Sequence, residues 1–213
     1  MKKSKILAHR GFWNQQRKPN SKESLISALK NNYGIETDLR ANEKGQIVIS
    51  HDPLEPYDEE QIEFDWLIKA QQELSPESVL ALNVKEDGLH EKILNTVKDL
   101  GEYFLFDMSI PDLVGAKKYN LISFARSSEF EDPIMVKTLS DGVWIDSFNG
   151  KMNIRQLIEK YSAEYNRFAI VSPELHKKEK DQCWHELKHL QQDFKQMDIM
   201  ICTDFPDEAE RFF

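Results

Sequence analysis

The stretch Ile-Leu-Ala-His-Arg-Gly, residues 6–11, begins as an apolar run and ends in an imidazole, a guanidinium and a glycine. The planar fork of Arg10 matches phosphate oxygens, and the imidazole of His9 exchanges protons near neutral pH. Gly11 allows the chain to turn sharply or a ligand to come close. At the tip of a strand these residues form a candidate phosphate site, although a surface histidine and arginine that merely end a strand would look the same.

Short apolar runs alternate with amphipathic stretches along nearly the whole chain, as they do in proteins with a parallel sheet. The predicted strands are residues 4–9, 34–39, 46–51, 79–85, 103–108, 121–125, 142–147, 167–172 and 199–203. The predicted helices are residues 21–32, 60–72, 87–100, 111–119, 153–165 and 178–195. This succession allows an open doubly wound sheet or a closed (β/α)8 barrel.

Polar residues stand where the predicted strands end, and their distribution favours the barrel. They are His9, Arg10, Glu36, Asp38, His51, Asn83, Lys85, Asp107, Arg126, Asp146, Glu174 and Asp204. An open sheet gathers its site at one switch point, whereas a barrel uses the carboxyl ends of many strands. We therefore predict an α/β fold, a single compact TIM barrel over residues 1–213. Because barrels of this kind typically have about 250 residues, some helices should be short or missing.

Composition and charge restrict the classes of partner. Hydrophobic residues make up 40% and charged residues 31% of the chain, and no apolar run is long enough for a membrane helix. The basic start at Met1 runs into charged residues too early for a signal peptide, so we expect a cytoplasmic protein that begins near Met1 and whose Cys183 and Cys202 are reduced. A formal net charge of −9 argues against nucleic acid or an anionic membrane as partner. We expect a small-molecule substrate, and the oligomeric state stays open.

Glu36 and Asp38 stand two residues apart in the predicted second strand. Because side chains alternate along a strand with a period of two, both carboxylates lie on one face. In a barrel mouth they would repel each other unless a cation lay between them, and oxygen ligands of this kind suit Mg or Ca. A solvated edge strand would carry the same pair, but the nearby Arg40 and His51 favour a site.

His51 follows the next apolar run, Gln-Ile-Val-Ile-Ser at 46–50, which we predict to be the third barrel strand. Two histidines at neighbouring strand tips can divide the proton transfers of phosphoryl transfer. One accepts the proton of the attacking oxygen, and the other protonates the leaving alkoxide. His9 and His51 are such a pair, and either histidine alone says little.

Taken together, His-Arg-Gly at 9–11, Glu-Thr-Asp at 36–38 and His-Asp at 51–52 resemble the N-terminal signature of the glycerophosphodiester phosphodiesterases. The stretch 202–212 is similar to that family's closing strand and final helix. The resemblance implies a (β/α)8 barrel of the phospholipase C-like type, phosphodiester hydrolysis and a divalent metal. It also implies roles by position: His9 and His51 as acid and base, Arg10 and Lys85 as phosphate contacts, and Glu36 and Asp38 as metal ligands.

One departure concerns the third metal ligand. Where the family usually has a glutamate two residues before a lysine, this chain has Asn83 before Lys85. An amide oxygen can ligate a hard cation but brings no negative charge, so we expect a weaker metal site unless another acid compensates. Asp107, Asp146 and Glu174, at predicted strand ends, are the candidates for that acid.

Other departures indicate a divergent subgroup. The family's Glu-Asn-Thr segment reads Lys-Glu-Ser at 22–24, and the runs 106–109, 144–148 and 170–176 are atypical of the family. These differences predict a changed substrate. Two rival functions stay open: metal-independent cleavage to a cyclic phosphate, as in bacterial phosphatidylinositol-specific phospholipases, and a barrel that only binds a phosphorylated ligand.

Overall fold

A computed structural model of the chain describes residues 1–55 and 61–213. Its strands are β1 (Ile6–His9), β2 (Gly34–Ala41), β3 (Ile47–Ile49), β4 (Ile62–Glu63), β5 (Leu80–Val84), β6 (Tyr103–Phe106), β7 (Phe124–Ser127), β8 (Gly142–Ile145), β9 (Arg167–Val171) and β10 (Asp198–Thr203). Its helices are α1 (Lys22–Lys30), α2 (Phe64–Leu74), α3 (His90–Val97), α4 (Ile110–Lys118), α5 (Ile154–Tyr161), α6 (Asp181–Asp193) and α7 (Pro206–Phe212). Helices thus follow most of the strands, as predicted.

Eight parallel strands close into a barrel. Going round it, β1, β2, β5 and β6 pair in turn, as do β7, β8, β9 and β10, and β10 pairs with β1. A parallel bridge between Leu105 and Ser123 joins β6 to β7, where the Leu105 amide donates to the Ile122 carbonyl at 2.9 Å. The predicted α/β barrel is confirmed.

Alternation along the strands divides the apolar side chains into two layers. On β2, Ile35 and Leu39 belong to the larger cluster under the helices. The barrel interior is filled by a second cluster that includes stacked ring pairs, Phe104 on Phe124 and Phe106 on Trp144, each with centroids 3.9 Å apart. Since Glu36 and Asp38 alternate with the outward residues of β2, they point into the barrel at its mouth.

Local signals fix where two helices begin. Ser21 and Ser24 form a reciprocal capping box at the start of α1, each hydroxyl accepting from the other residue's amide. Ser109 caps α4 by accepting from the Asp112 amide at 3.2 Å, with Pro111 in the first turn. Both helices therefore begin close to their predicted starts at residues 21 and 111.

The prediction that residues 46–51 form a barrel strand is wrong. The strand β3 pairs antiparallel with the outer end of β2, Leu39 opposite Ile49 and Ala41 opposite Ile47. The strand β2 continues beyond the barrel rim, and a tight turn, in which the Gly45 amide donates to the Asn42 carbonyl at 2.7 Å, sends the chain straight back along it. The third barrel strand is β5.

Two further expectations concern the helices. The described segment between β7 and β8 contains a single 3-10 turn, Pro133–Val136, which agrees with the expectation of short or missing helices. The predicted helix 60–72 starts at a residue outside the described ranges, and α2 begins at Phe64. Across the described residues, no helix combines the length and the apolar character needed to cross a membrane.

Candidate active site

The tip of β1 is shaped by two residues with left-handed backbone. Arg10 has φ 56°, and its amide donates to the Glu36 carbonyl at 2.9 Å and to the Glu36 carboxylate at 3.2 Å. Gly11 has φ 84°, and a Cβ there would lie 2.7 Å from the Ser24 carbonyl carbon. The glycine is therefore required by the approach of α1, while the turn directs Arg10 towards the barrel mouth.

His9 lies between two acidic side chains. Its Nδ1 is 2.7 Å from Asp204 Oδ1, and its Nε2 is 3.9 Å from Glu36 Oε2. Burial alone lowers the pKa of His9, but the Asp204 hydrogen bond and the charges of Glu36 and Asp204 outweigh it and raise this pKa above its ordinary value. The imidazole is thus oriented on one side and favoured in its protonated form.

Glu36 is 3% exposed at the centre of this group. Burial, and then the negative charge of Asp38, raise the pKa of Glu36 to about 7, while His9 and Arg10 act in the opposite direction. The carboxylate two residues further along β2 therefore disfavours ionisation of Glu36, as the spacing in the sequence suggested.

Asp38 is surrounded by donors. Lys85 Nζ lies 3.2 Å from Oδ1, Arg10 Nε lies 3.6 Å from Oδ2, and Asn20 Nδ2 donates to Oδ2 at 2.9 Å. Thr37 holds Asn20 in place by donating its hydroxyl hydrogen to Asn20 Oδ1 at 2.8 Å. The barrel therefore brings Arg10 and Lys85 together around Asp38.

Sequence reasoning missed Asn20. This residue sits in a loop with φ 54°, and its amide donates to the Arg10 carbonyl at 2.8 Å. Asparagine tolerates the left-handed region better than most residues, so the Pro19-Asn20-Ser21 run was the available signal. That signal marks a turn, but it does not show that the side chain reaches Asp38.

Asn83 lies beside Asp38 in register on neighbouring strands β5 and β2. Its Nδ2 donates to Asp107 Oδ2 at 3.1 Å, whereas its Oδ1 is buried without a hydrogen-bond partner. A buried unpaired oxygen is costly, so its survival in a barrel mouth points to a ligand that supplies the missing contact.

The three candidates for a compensating acid have partners of their own, and Asp146 is paired with His176. Asp107 Oδ1 receives Arg126 Nε at 2.9 Å. Glu174 accepts from the hydroxyls of Ser172 and Thr203, and from the Asp204 amide at 3.2 Å. Their use as metal ligands stays a prediction. In this arrangement Glu174 positions Asp204, which in turn orients His9.

His51 stands on the rim after β3, 40% exposed in its side chain. Its Nδ1 lies 2.8 Å from Asp52 Oδ1, and its carbonyl accepts from Arg40 at 3.1 Å. The hydrogen bond from His51, then the charges of His51, Arg10 and Arg40, lower the pKa of Asp52. The Ser50 amide donates to the Asp38 carbonyl at 3.1 Å, so His51 follows directly beside the part of β2 that carries Asp38, and it has an aspartate of its own.

The donor set fits a hard divalent cation. Glu36 and Asp38 offer two carboxylates, and Asn83 offers an unpartnered amide oxygen. No group of three or more His, Cys, Asp or Glu side chains suited to a metal occurs within residues 1–55 and 61–213. The fit therefore depends on the amide as third donor, and such a site has less charge than one with three carboxylates.

Of the comparisons with known proteins, the one with solved structures gives matches. Neither the protein-family models nor the curated proteins include one that matches this chain. Solved structures do match over nearly the whole chain. A provisionally assigned glycerophosphodiester phosphodiesterase from Galdieria sulphuraria has a TM-score of 0.76 at 18% identity, with 98% of this chain and 96% of that chain covered.

Two further structures agree. A glycerophosphodiester phosphodiesterase from Parabacteroides distasonis has a TM-score of 0.68 at 17% identity, covering 97% of this chain and 95% of its own. An Oleispira antarctica phosphodiesterase, solved with the product sn-glycerol-3-phosphate, has a TM-score of 0.67 at 18% identity, covering 98% and 96%. At these identities the likeness establishes the fold, which is the barrel of glycerophosphodiester phosphodiesterases.

Proposed function

We propose that this protein is a metal-assisted phosphodiesterase that cleaves a small, glycerophosphodiester-like substrate. The observation that carries the proposal is the placement of His9 against Asp204 and Glu36, beside Arg10 and Lys85, at the carboxyl ends of the barrel strands. In barrels of this kind that end of the strands holds the active site. The fold shared with glycerophosphodiester phosphodiesterases supports the same reaction class.

The substrate phosphate is held by two cations. Arg10 Nε is buried without a hydrogen-bond partner, and Lys85 lies on the other oxygen of Asp38. Both groups can turn from Asp38 to phosphoryl oxygens, the guanidinium as a fork and the ammonium as a point charge.

The two histidines transfer the protons. The raised pKa of His9 favours its protonated form, and this residue donates its proton to the leaving alkoxide. His51, paired with Asp52 on the rim, accepts the proton of the attacking oxygen. That oxygen belongs to water or to a neighbouring hydroxyl of the substrate, and in the second case a cyclic phosphate forms first.

A divalent cation, Mg or Ca, would be held by Glu36, Asp38 and Asn83. When bound, it neutralises charge on the phosphoryl oxygens. Burial and then the charge of Asp38 raise the pKa of Glu36, and a cation held there would favour the ionised form of Glu36.

A second candidate is metal-independent cleavage to a cyclic phosphate. The observation in its favour is the Lys85–Asp38 ion pair of 3.2 Å next to the neutral Asn83. In this alternative, Lys85 and Arg10 supply all the positive charge. Phosphate binding without turnover is the third possibility.

Chelation separates these functions. Purified protein is incubated with glycerophosphodiesters and with bis(p-nitrophenyl) phosphate, first with Mg or Ca and then after exhaustive chelation. The proposal predicts turnover that disappears on chelation and returns with the cation. Turnover that survives chelation would assign the metal-independent route, and no turnover across the panel would leave a barrel that only binds.

A further inference from the structure

A second group of charged and aromatic side chains lies across the barrel mouth from the catalytic histidine. It consists of Arg126 on β7, Asp146 directly after β8, Phe148 two residues later and His176 in the turn after β9. In the circle of strands, β7 and β8 stand opposite β1 and β2. The mechanism above uses none of these four residues, which we call the distal subsite.

Asp146 and His176 form a close pair. His176 Nε2 lies 2.6 Å from Asp146 Oδ1, and Asp146 is 7% exposed. The 3-10 turn Pro173–His176 brings the imidazole over the barrel mouth, and burial raises the pKa of Asp146. This region, residues 170–176, is one of the stretches that depart from the family sequence.

Arg126 and Phe148 complete the subsite. The Arg126 guanidinium carbon lies 5.5 Å from the Phe148 ring centroid, and the His176 ring meets Phe148 edge-on at 5.2 Å. Arg126 also approaches Glu131 at 3.7 Å. The four residues therefore make one connected group of donors, acceptors and an aromatic ring.

Two hydrogen bonds and one strand pairing connect the distal subsite to the catalytic group. Arg126 donates to Asp107 Oδ1 at 2.9 Å, and Asp107 Oδ2 receives the amide of Asn83 at 3.1 Å. Asn83 in turn lies beside Asp38 in register. These contacts make the distal subsite and the catalytic group parts of one continuous surface of the barrel mouth.

The chemistry of the distal subsite selects the alcohol. Donors (Arg126, His176) alternate with an acceptor (Asp146), an arrangement that suits hydroxyl groups, because each hydroxyl both donates and accepts. A quaternary ammonium group needs an open aromatic face, but the Arg126 guanidinium already lies over Phe148. Both observations favour an uncharged, hydroxyl-rich group.

We infer that the distal subsite binds a polyol or sugar moiety esterified to the substrate phosphate. This inference rests on the proposed function and extends it by naming the substrate class. It makes Asp146 and His176 specificity-determining residues, because both are placed to touch the alcohol and neither lies at the phosphate.

Substrate comparison tests the inference. Glycerophosphoinositol and glycerophosphoglycerol represent hydroxyl-rich alcohols, glycerophosphocholine and glycerophosphoethanolamine represent cationic ones, and bis(p-nitrophenyl) phosphate lacks both features. We expect the wild-type protein to prefer the hydroxyl-rich pair in kcat/KM. D146N and H176Q should lower kcat/KM for that pair by about tenfold or more, mainly through KM, and leave bis(p-nitrophenyl) phosphate within about twofold.

The controls distinguish the two proposals. H189Q, on the exposed face of α6, should behave as wild type. A preference for the cationic pair, or an equal loss on every substrate in D146N and H176Q, would overturn the inference while leaving the phosphodiesterase proposal intact. If no substrate is turned over, the proposed function fails. Calorimetry with inositol phosphate then decides the subsite: binding about tenfold weaker in D146N supports it, and unchanged binding refutes it.

Discussion

At the scale of single residues, the site works through shared partners. Glu174 positions Asp204, Asp204 orients His9, and Glu36 contacts both His9 and the backbone of Arg10. A histidine that is held in this way is positioned for the proton transfer proposed above. The sequence motif alone gives a histidine beside an arginine.

The histidines give the first prediction. His9→Ala and His51→Ala should each reduce turnover by roughly 10²–10⁴-fold, because each removes one proton-transfer group. Steady-state rates on a glycerophosphodiester measure the effect, with the exposed His189→Ala as control. Rates close to wild type in both variants would remove the acid and base assignment.

The unpartnered oxygen of Asn83 gives the second prediction, which concerns the affinity for a metal. Asn83→Asp should bind Ca²⁺ roughly tenfold more tightly, or ~1.4 kcal/mol, because it adds a negative charge to the donor set. Asn83→Ala, which has no side-chain oxygen, should bind it more weakly than wild type. Calorimetric titration of the metal-free protein measures both, and equal affinity in Asn83→Ala and wild type would show that Asn83 is no ligand.

The buried Glu36 gives a pH prediction for the cation-free protein. Its pKa rises from 4.5 to about 7 on folding, so the folded state binds this proton more tightly than the unfolded state. The resulting stabilisation is complete below 4.5 and is lost as the pH rises through about 7. With chelator present, the free energy of unfolding should therefore fall across this range.

Urea unfolding at a series of pH values tests this dependence. Glu36→Gln should show a flatter profile, because no proton is lost from that position, and Glu23→Gln on the exposed face of α1 should keep the wild-type profile. A Glu36→Gln profile that falls as steeply as wild type would place the titrating group elsewhere.

At the scale of elements, the contact between the tip of β1 and α1 depends on one glycine. Gly11→Ala meets both a positive φ and a clash, whereas Gly88→Ala has φ 87° and no atom within 4 Å of the new Cβ. Gly88→Ala should cost about 1–2 kcal/mol from backbone strain alone. Gly11→Ala should cost about 1–3 kcal/mol more, because the backbone of α1 must shift.

Urea denaturation midpoints compare the two glycine variants directly. Equal losses would mean that α1 yields without cost, which would contradict the packing described at Gly11. A larger loss in Gly11→Ala would show that the fold requires the glycine of the His-Arg-Gly motif.

The strand β3 shows what a sequence pattern cannot predict. The run 46–51 is apolar and ends in a histidine, like the barrel strands, but its periodicity contains no information on strand direction. Direction depends on the turn at Asn42 and Gly45, which is too short for a crossover and returns the chain antiparallel. The helix entries at Ser21 and Pro111 could be predicted because the signals that start a helix are local, whereas the cap Ser109 came from the structure.

At the scale of the whole molecule, the barrel was predictable because polar residues end so many predicted strands. The site was predictable only in part. Glu36 and Asp38 follow from a period of two, but the contacts of Asn20, Asp204 and Glu174 join loops far apart in the chain. Such contacts depend on barrel closure, which places the end of β10 beside β1.

Closure of the barrel also explains why two different groups of side chains face each other across its mouth. The ends of β1, β2 and β5 carry His9, Arg10, Glu36, Asp38 and Lys85, and the strands opposite carry the distal subsite. Asn83 and Asp107 lie at the boundary and connect the two halves through a hydrogen bond of 3.1 Å. The proposed substrate would lie across this boundary.

The proposal that this protein hydrolyses a phosphodiester has one direct test, which is phosphorus NMR of a glycerophosphodiester mixed with the purified protein and Mg²⁺ or Ca²⁺. We expect the diester resonance to decay into that of a phosphate monoester, either directly or through a cyclic phosphate. The decay should be slowed roughly 10²–10⁴-fold in His9→Ala. A diester resonance that persists unchanged at stoichiometric wild-type protein, across the glycerophosphodiester panel, would contradict it.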